Sequence, residues 1–178
     1  MKKFQSCDFL CLKELVGKSF NDIFYQPVAD ILAYVDMFVV NFGEEKIEAS
    51  FHVFSLFRVT YNGNILLTCN DSLFDSALER LTTEKEDNAR SHLYKGTLLH
   101  SNIKRVKNIL KGAKVSNAYS NDIGDVIIEF DNSVKMEIII DALCNQECYR
   151  LITYTESAST HYVVECKKKE IIYSIDAE

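Results

Sequence analysis

Residues 124–138 read Gly-Asp-Val-Ile-Ile-Glu-Phe-Asp-Asn-Ser-Val-Lys-Met-Glu-Ile. Val126, Ile128 and Phe130 alternate with Ile127 and Glu129, and Val134, Met136, Ile138 and Ile140 make the apolar face of a second run. Strand side chains point to opposite faces in turn, so this period of two marks two half-buried strands. Asp131-Asn132-Ser133 supplies the turn between them.

The pattern extends in both directions. Downstream, Tyr149, Leu151 and Thr153 alternate with Arg150 and Ile152, a loop covers Glu156 to Thr160, and Tyr162, Val164 and Cys166 close the series. The first half of the chain carries the same plan. Phe38, Val40 and Phe42 alternate with Val39 and Asn41, Gly43-Glu44-Glu45 turns, and Ile47, Ala49, Phe51 and Val53 follow. Then come Phe57, Val59 and Tyr61, the pair Asn62-Gly63, and Ile65, Leu67 and Cys69. Asn-Gly is a strong two-residue hairpin signal because both residues tolerate positive φ. Phe38-Val39-Val40-Asn41-Phe42 aligns with Val126-Ile127-Ile128-Glu129-Phe130, and Phe57-Arg58-Val59-Thr60-Tyr61 with Tyr149-Arg150-Leu151-Ile152-Thr153. An opening strand is expected in each half, near Ala29 to Val35 and near Val115 to Ser120.

Helical sequence lies between the halves. Ile103, Val106 and Leu110 form one apolar stripe of a helix capped by Ser101, running to Lys111 and ended by Gly112. Ser72 to Thr82 reads as a shorter helix, residues 84–92 as a polar loop, and a third short helix precedes Gly17. A lone meander cannot bury its apolar face. The expected fold is therefore α+β: two antiparallel β-meander sheets packed about a pseudo-twofold axis, with helices between and at the ends. One domain covers 1–178, with pseudo-repeats at approximately 20–70 and 114–167 and a helical connection at 72–112.

Composition narrows the class. The chain has 178 residues, is 47% apolar, and contains one proline and six glycines, which leaves no evident linker. Asp8, Lys13 and Glu14 interrupt what would be the apolar region of a signal peptide, and no apolar run approaches a membrane span, so a cytoplasmic protein is expected. The six cysteines, Cys7, Cys11, Cys69, Cys144, Cys148 and Cys166, then read as reduced thiols. Cys144 and Cys148 have three residues between them and no histidine nearby, a poor zinc pattern. No metal site, cofactor or small-molecule ligand is expected.

No nucleophile–base pair, phosphate loop or metal motif stands out, and the reading is of a binding protein, not an enzyme. His52, His92, His100 and His161 are scattered along the chain. Arg58 and Arg150 recur at matching places, each read as paired to a carboxylate on its sheet face. Charge is unevenly spread. Lys95, Lys104, Arg105, Lys107, Lys111 and Lys114 form a basic run, and Asp122, Asp125, Glu129, Asp131, Glu137, Asp141 and Glu147 an acidic one interrupted only by Lys135. An acidic surface attracts a basic protein by long-range steering. Asp122, Asp125, Glu129, Asp131 and Asp141 are the candidate partner-binding residues. Lys104, Arg105, Lys107 and Lys111 could contact nucleic acid, but no aromatic residues interleave with them to stack bases.

The succession of meander, helix and meander, with the stretch at 124–138, resembles immunity proteins of bacterial contact-dependent growth inhibition, of the type that protects against a nuclease toxin domain. Those proteins are similar in fold to the plant Whirly single-stranded-DNA-binding proteins. The resemblance implies a Whirly-like fold and a basic C-terminal toxin nuclease domain as partner, bound tightly enough to block it. It also implies β-augmentation, in which a toxin hairpin adds strands to the sheet. The alternative it implies is a single-stranded nucleic-acid-binding module; the Whirly-type Lys-Gly-Lys-Ala-Ala-Leu stretch is absent, and nucleic acid is not the expected partner.

Overall fold

In a computed structural model, which describes residues 12–29, 34–69, 71, 97–140, 147–167 and 170–177, the alternating segments form eleven strands in two antiparallel sheets. The first sheet has six strands in the order β1 (Phe20–Ala29), β2 (Tyr34–Phe42), β3 (Ala49–Val53), β9 (Glu147–Tyr154), β10 (Ser159–Lys167) and β11 (Glu170–Ala177). The second has five, in the order β5 (Asn64–Thr68), β4 (Leu56–Tyr61), β8 (Val134–Ile139), β7 (Val126–Phe130) and β6 (Val115–Ser120).

Each half of the chain contributes to both sheets, which corrects the expectation of one meander per sheet. Strands β1–β3 form one hairpin series and β6–β8 another, as their alternation requires. Between β3 and β4, however, lie only Phe54 and Ser55, without the Gly, Asn or Asp that a two-residue hairpin turn takes. The chain instead crosses to the other sheet, and Phe54 N donates to the Cys148 carbonyl at 2.9 Å. Strand β3 therefore pairs with β9, through Ala49↔Thr153, Phe51↔Leu151 and Val53↔Tyr149. Strand β4 pairs with β8, through Phe57↔Ile138, Val59↔Met136 and Tyr61↔Val134. The centre of each sheet is thus a contact between halves.

The inward faces of the two sheets share one core. Phe38 of β2 meets Phe57 of β4 with ring centres 5.0 Å apart, and Phe42 of β2 stacks on Phe130 of β7 at 6.4 Å. Phe42, Phe51, Phe57 and Tyr149 are among the largest fully buried side chains, each worth about 2–3 kcal/mol when removed from water. One corner is stitched by backbone. Ser19 bridges to Lys114, Phe20 N donates to the Ala113 carbonyl at 2.9 Å, and Gly17 N to the Val115 carbonyl at 2.8 Å.

The helix, α1 (Leu98–Leu110), packs against β5 and β1 with Leu99, Ile103, Val106 and Leu110 buried. Its cap is Thr97, whose Oγ1 accepts from His100 N at 3.1 Å, and not Ser101, which lies inside the first turns. Gly112 follows in the left-handed region at φ +78°. A short 3₁₀ turn over residues 12–15 precedes Gly17. The opening strand of the first half is β1, Phe20–Ala29, and not a strand near Ala29 to Val35: Ala29 ends β1, Tyr34 and Val35 begin β2, and residues 30–33 lie outside the described residues. The helix expected at 72–82 and the loop at 84–92 lie outside the described residues. Strand β11 has no forerunner in the sequence reading.

Candidate protein-binding surfaces

The five acidic candidates do not share one surface. Asp125, in the loop after β6, is occupied by the fold: its carboxylate accepts from Ile140 N at 2.8 Å and from Asn121 Nδ2 at 2.9 Å, and its own N–H donates to Asn121 Oδ1 at 2.9 Å. Asp131 sits beyond the other end of β7, about 20 Å away, six residue steps along the strand. There it accepts from Lys114 N at 3.1 Å and donates its own N–H to the Lys114 carbonyl at 2.9 Å, completing the stitched corner. Glu129 stands on the outward face of β7 and accepts from Asn117 Nδ2 at 3.2 Å. Asp122 is exposed and has no hydrogen bond or ion pair among the described residues. Asp141 lies outside them.

The basic helix is also partly committed. Lys107 reaches Asp22 at 2.6 Å, which ties α1 to β1. Lys104, Arg105 and Lys111 are exposed.

Both recurring arginines are paired, as expected. Arg58 of β4 places Nε and Nη2 each 2.8 Å from Glu137 Oε2, while Lys135 Nζ lies 3.0 Å from Oε1. Burial alone would raise the Glu137 pKa, but these hydrogen bonds and charges outweigh it and hold the carboxyl below the usual range. Arg150 of β9 forms a two-pronged pair with Glu147, Nε to Oε1 at 3.0 Å and Nη2 to Oε2 at 2.9 Å. The two sites hold matching places in their sheets. Val39, His52 and Arg150 are register neighbours in the first sheet, and Ile127, Glu137 and Arg58 in the second.

The two outward faces nevertheless differ. In the six-stranded sheet Met37, Val39, Asn41, Ser50, Ile152 and Val163 are all buried. Burial pushes the pKa of His52 down from its ordinary 6.5, and the neighbouring Arg150 adds to this, against an opposing pull from Glu147. His52 and His161, far apart in sequence, are brought within electrostatic reach of each other here. In the five-stranded sheet every outward residue of β7, β8 and β4 keeps contact with water.

The remaining feature is an edge. Strand β11 pairs with β10 from Thr160↔Ala177 to Lys167↔Glu170 without a bulge, and no strand lies on its other side among the described residues. Ser174, Ile175, Asp176 and Ala177 are exposed, Ile175 by 55%. Edge strands are ordinarily blunted by proline, lysine or a bulge. The segment Glu-Ile-Ile-Tyr-Ser-Ile-Asp-Ala has neither residue type and no bulge. Its run of strand formers, Ile171, Ile172, Tyr173 and Ile175, was the signal in the sequence that could have located it.

Among the described residues no cluster of three or more His, Cys, Asp or Glu side chains is placed to hold a metal ion, and no helix is long and apolar enough to cross a membrane. No family model, no curated protein and no solved structure matches the chain.

Proposed function

We propose that the protein is a non-enzymatic binding protein, an immunity protein that acts in the cytoplasm by neutralising a basic toxin nuclease, and that it takes up a strand of that toxin along β11. The observation that carries this reading is the bulge-free β11 edge, unpaired on its outer side among the described residues, with Ile175 in solvent. Such an edge offers a row of backbone donors and acceptors for affinity, and alternating side chains for selectivity. The identity of the partner rests on the resemblance of the 124–138 stretch, supported by the net charge of −6, which favours encounter with a basic surface. The exchanged pairing of β3 with β9 and β4 with β8 supports an internal duplication about a pseudo-twofold axis, in a Whirly-like arrangement.

Co-expression with the toxin domain encoded beside it tests the reading. The expected result is co-purification and rescue of growth, with Ile175→Lys weakening both. Absence of a complex with the unaltered chain would overturn it. The alternative, a single-stranded nucleic-acid-binding module, draws support from exposed Lys104, Arg105 and Lys111 on α1. Titration with single-stranded DNA over a salt series separates the two, because phosphate contacts give a steep salt dependence that a strand-addition site for protein does not.

A further inference from the structure

The outward face of the five-stranded sheet forms a grid. One row runs Tyr119, Ile127, Glu137, Arg58 and Thr68 across β6, β7, β8, β4 and β5; the next runs Asn117, Glu129, Lys135, Thr60 and Ile65. Ile139 pairs with Leu56 above them. An antiparallel sheet that faces water ordinarily places polar residues on that face. Here Tyr119 and Leu56 are 41% exposed and Ile65 59%, with Ile127 and Ile139 half-buried beside them. At the centre the Arg58–Glu137–Lys135 cluster is ordered by three short contacts. An arginine held in place among aliphatic and aromatic side chains is the composition of an interface centre.

We propose that a second copy of this chain covers this face, making the protein a homodimer. Two observations favour a copy of itself over another partner. First, charge: the molecule carries −6, so two copies repel over most of their surfaces, yet on this face Arg58 and Lys135 balance Glu129 and Glu137. Second, reciprocity: Arg58 and Glu137 are register partners on adjacent strands, as are Leu56 and Ile139. A twofold axis lying in the interface between β4 and β8 sets Arg58 of each copy over Glu137 of the other, and Leu56 over Ile139. An interface of this isologous kind forms each contact twice. The proposal does not rest on the toxin reading, and it leaves β11, on the other sheet, open.

Light scattering coupled to size exclusion, over a concentration series, tests it. The expected mass is twice the 20.4 kDa of one chain. Leu56→Lys raises the dimer dissociation constant about 30-fold or more while leaving the thermal midpoint of the monomer in place. Arg58→Glu alone also breaks the dimer, and Arg58→Glu with Glu137→Arg restores it. Ile175→Lys, on β11, leaves it intact. A monomer at about 100 µM, well above the dissociation constants of standard interfaces, overturns the proposal. So does a dimer that survives all the face substitutions, or one lost only with Ile175→Lys.

Discussion

The hydroxyl of Tyr149 donates to the Gly124 carbonyl at 2.7 Å, tying the start of β9 in one sheet to the loop between β6 and β7 in the other. Tyr149 is fully buried, and its ring also packs on Phe51 at 6.1 Å. Replacement by phenylalanine keeps the ring and strands a buried carbonyl. Tyr149→Phe is expected to lower stability by about 1–3 kcal/mol in urea unfolding, with the slope of the transition unchanged.

The acidic residues divide into structural and free ones. Asp125→Ala removes the acceptor for Ile140 N and Asn121, and is expected to cost about 1–3 kcal/mol. Asp122→Ala is expected to stay within about 0.5 kcal/mol of the parent. Thermal midpoints of the two variants check the contrast. In the toxin complex the order is reversed for encounter: Asp122→Lys slows association at low salt, and the effect fades as salt is added.

Gly43 stands at φ +132°, where a Cβ would lie 2.0 Å from the Lys46 carbonyl oxygen. Gly63, in the Asn62-Gly63 hairpin, also has positive φ, but nothing stands within 4 Å of its Cβ position. Gly43→Ala is therefore expected to cost about 2–4 kcal/mol, from strain and clash together, and Gly63→Ala about 1 kcal/mol. Chemical denaturation of the pair separates collision from backbone strain alone.

His52 gives the stability a dependence on pH. Its folded pKa lies below the unfolded value, chiefly because burial disfavours the cation. Below about pH 6.5 the unfolded chain therefore takes up this proton before the folded one does. Stability is full above that point, declines as pH falls toward the folded pKa, and levels off beneath it. Unfolding measured from pH 7.5 down to 5 is expected to show the decline, and His52→Gln to make it shallower; an unchanged slope in the variant would assign the proton elsewhere.

Strand existence was legible because alternation reports a face directly: β7, β8 and β4 begin and end within a residue or two of where Val126, Val134 and Phe57 placed them. The hairpin at Asn62-Gly63 was legible because its chemistry is local, and both residues take positive φ. What could not be read was the partner of each strand. Alternation is the same whether β3 pairs with β4 or with β9, and the choice is made by the two-residue link at Phe54-Ser55 and by cross-sheet packing. The arginine pairs were foreseeable from repeat position, whereas the commitment of Asp125 and Asp131 to backbone N–H groups was not. A run of acids looks alike in sequence whether it faces solvent or ties off a loop.

The exchanged pairing constrains how the chain can come to be folded. Ala49 waits for Thr153, about a hundred residues downstream, and the centre of neither sheet can form from one half alone. During synthesis the first half must emerge with two strand edges unmated until the second arrives, a period in which β3 and β4 are open to wrong partners. The same dependence makes the two halves complementary fragments. Cut in the connection between β5 and α1 and expressed as separate pieces, they are expected to be insoluble singly and to assemble when made together, each supplying the strand that the other lacks.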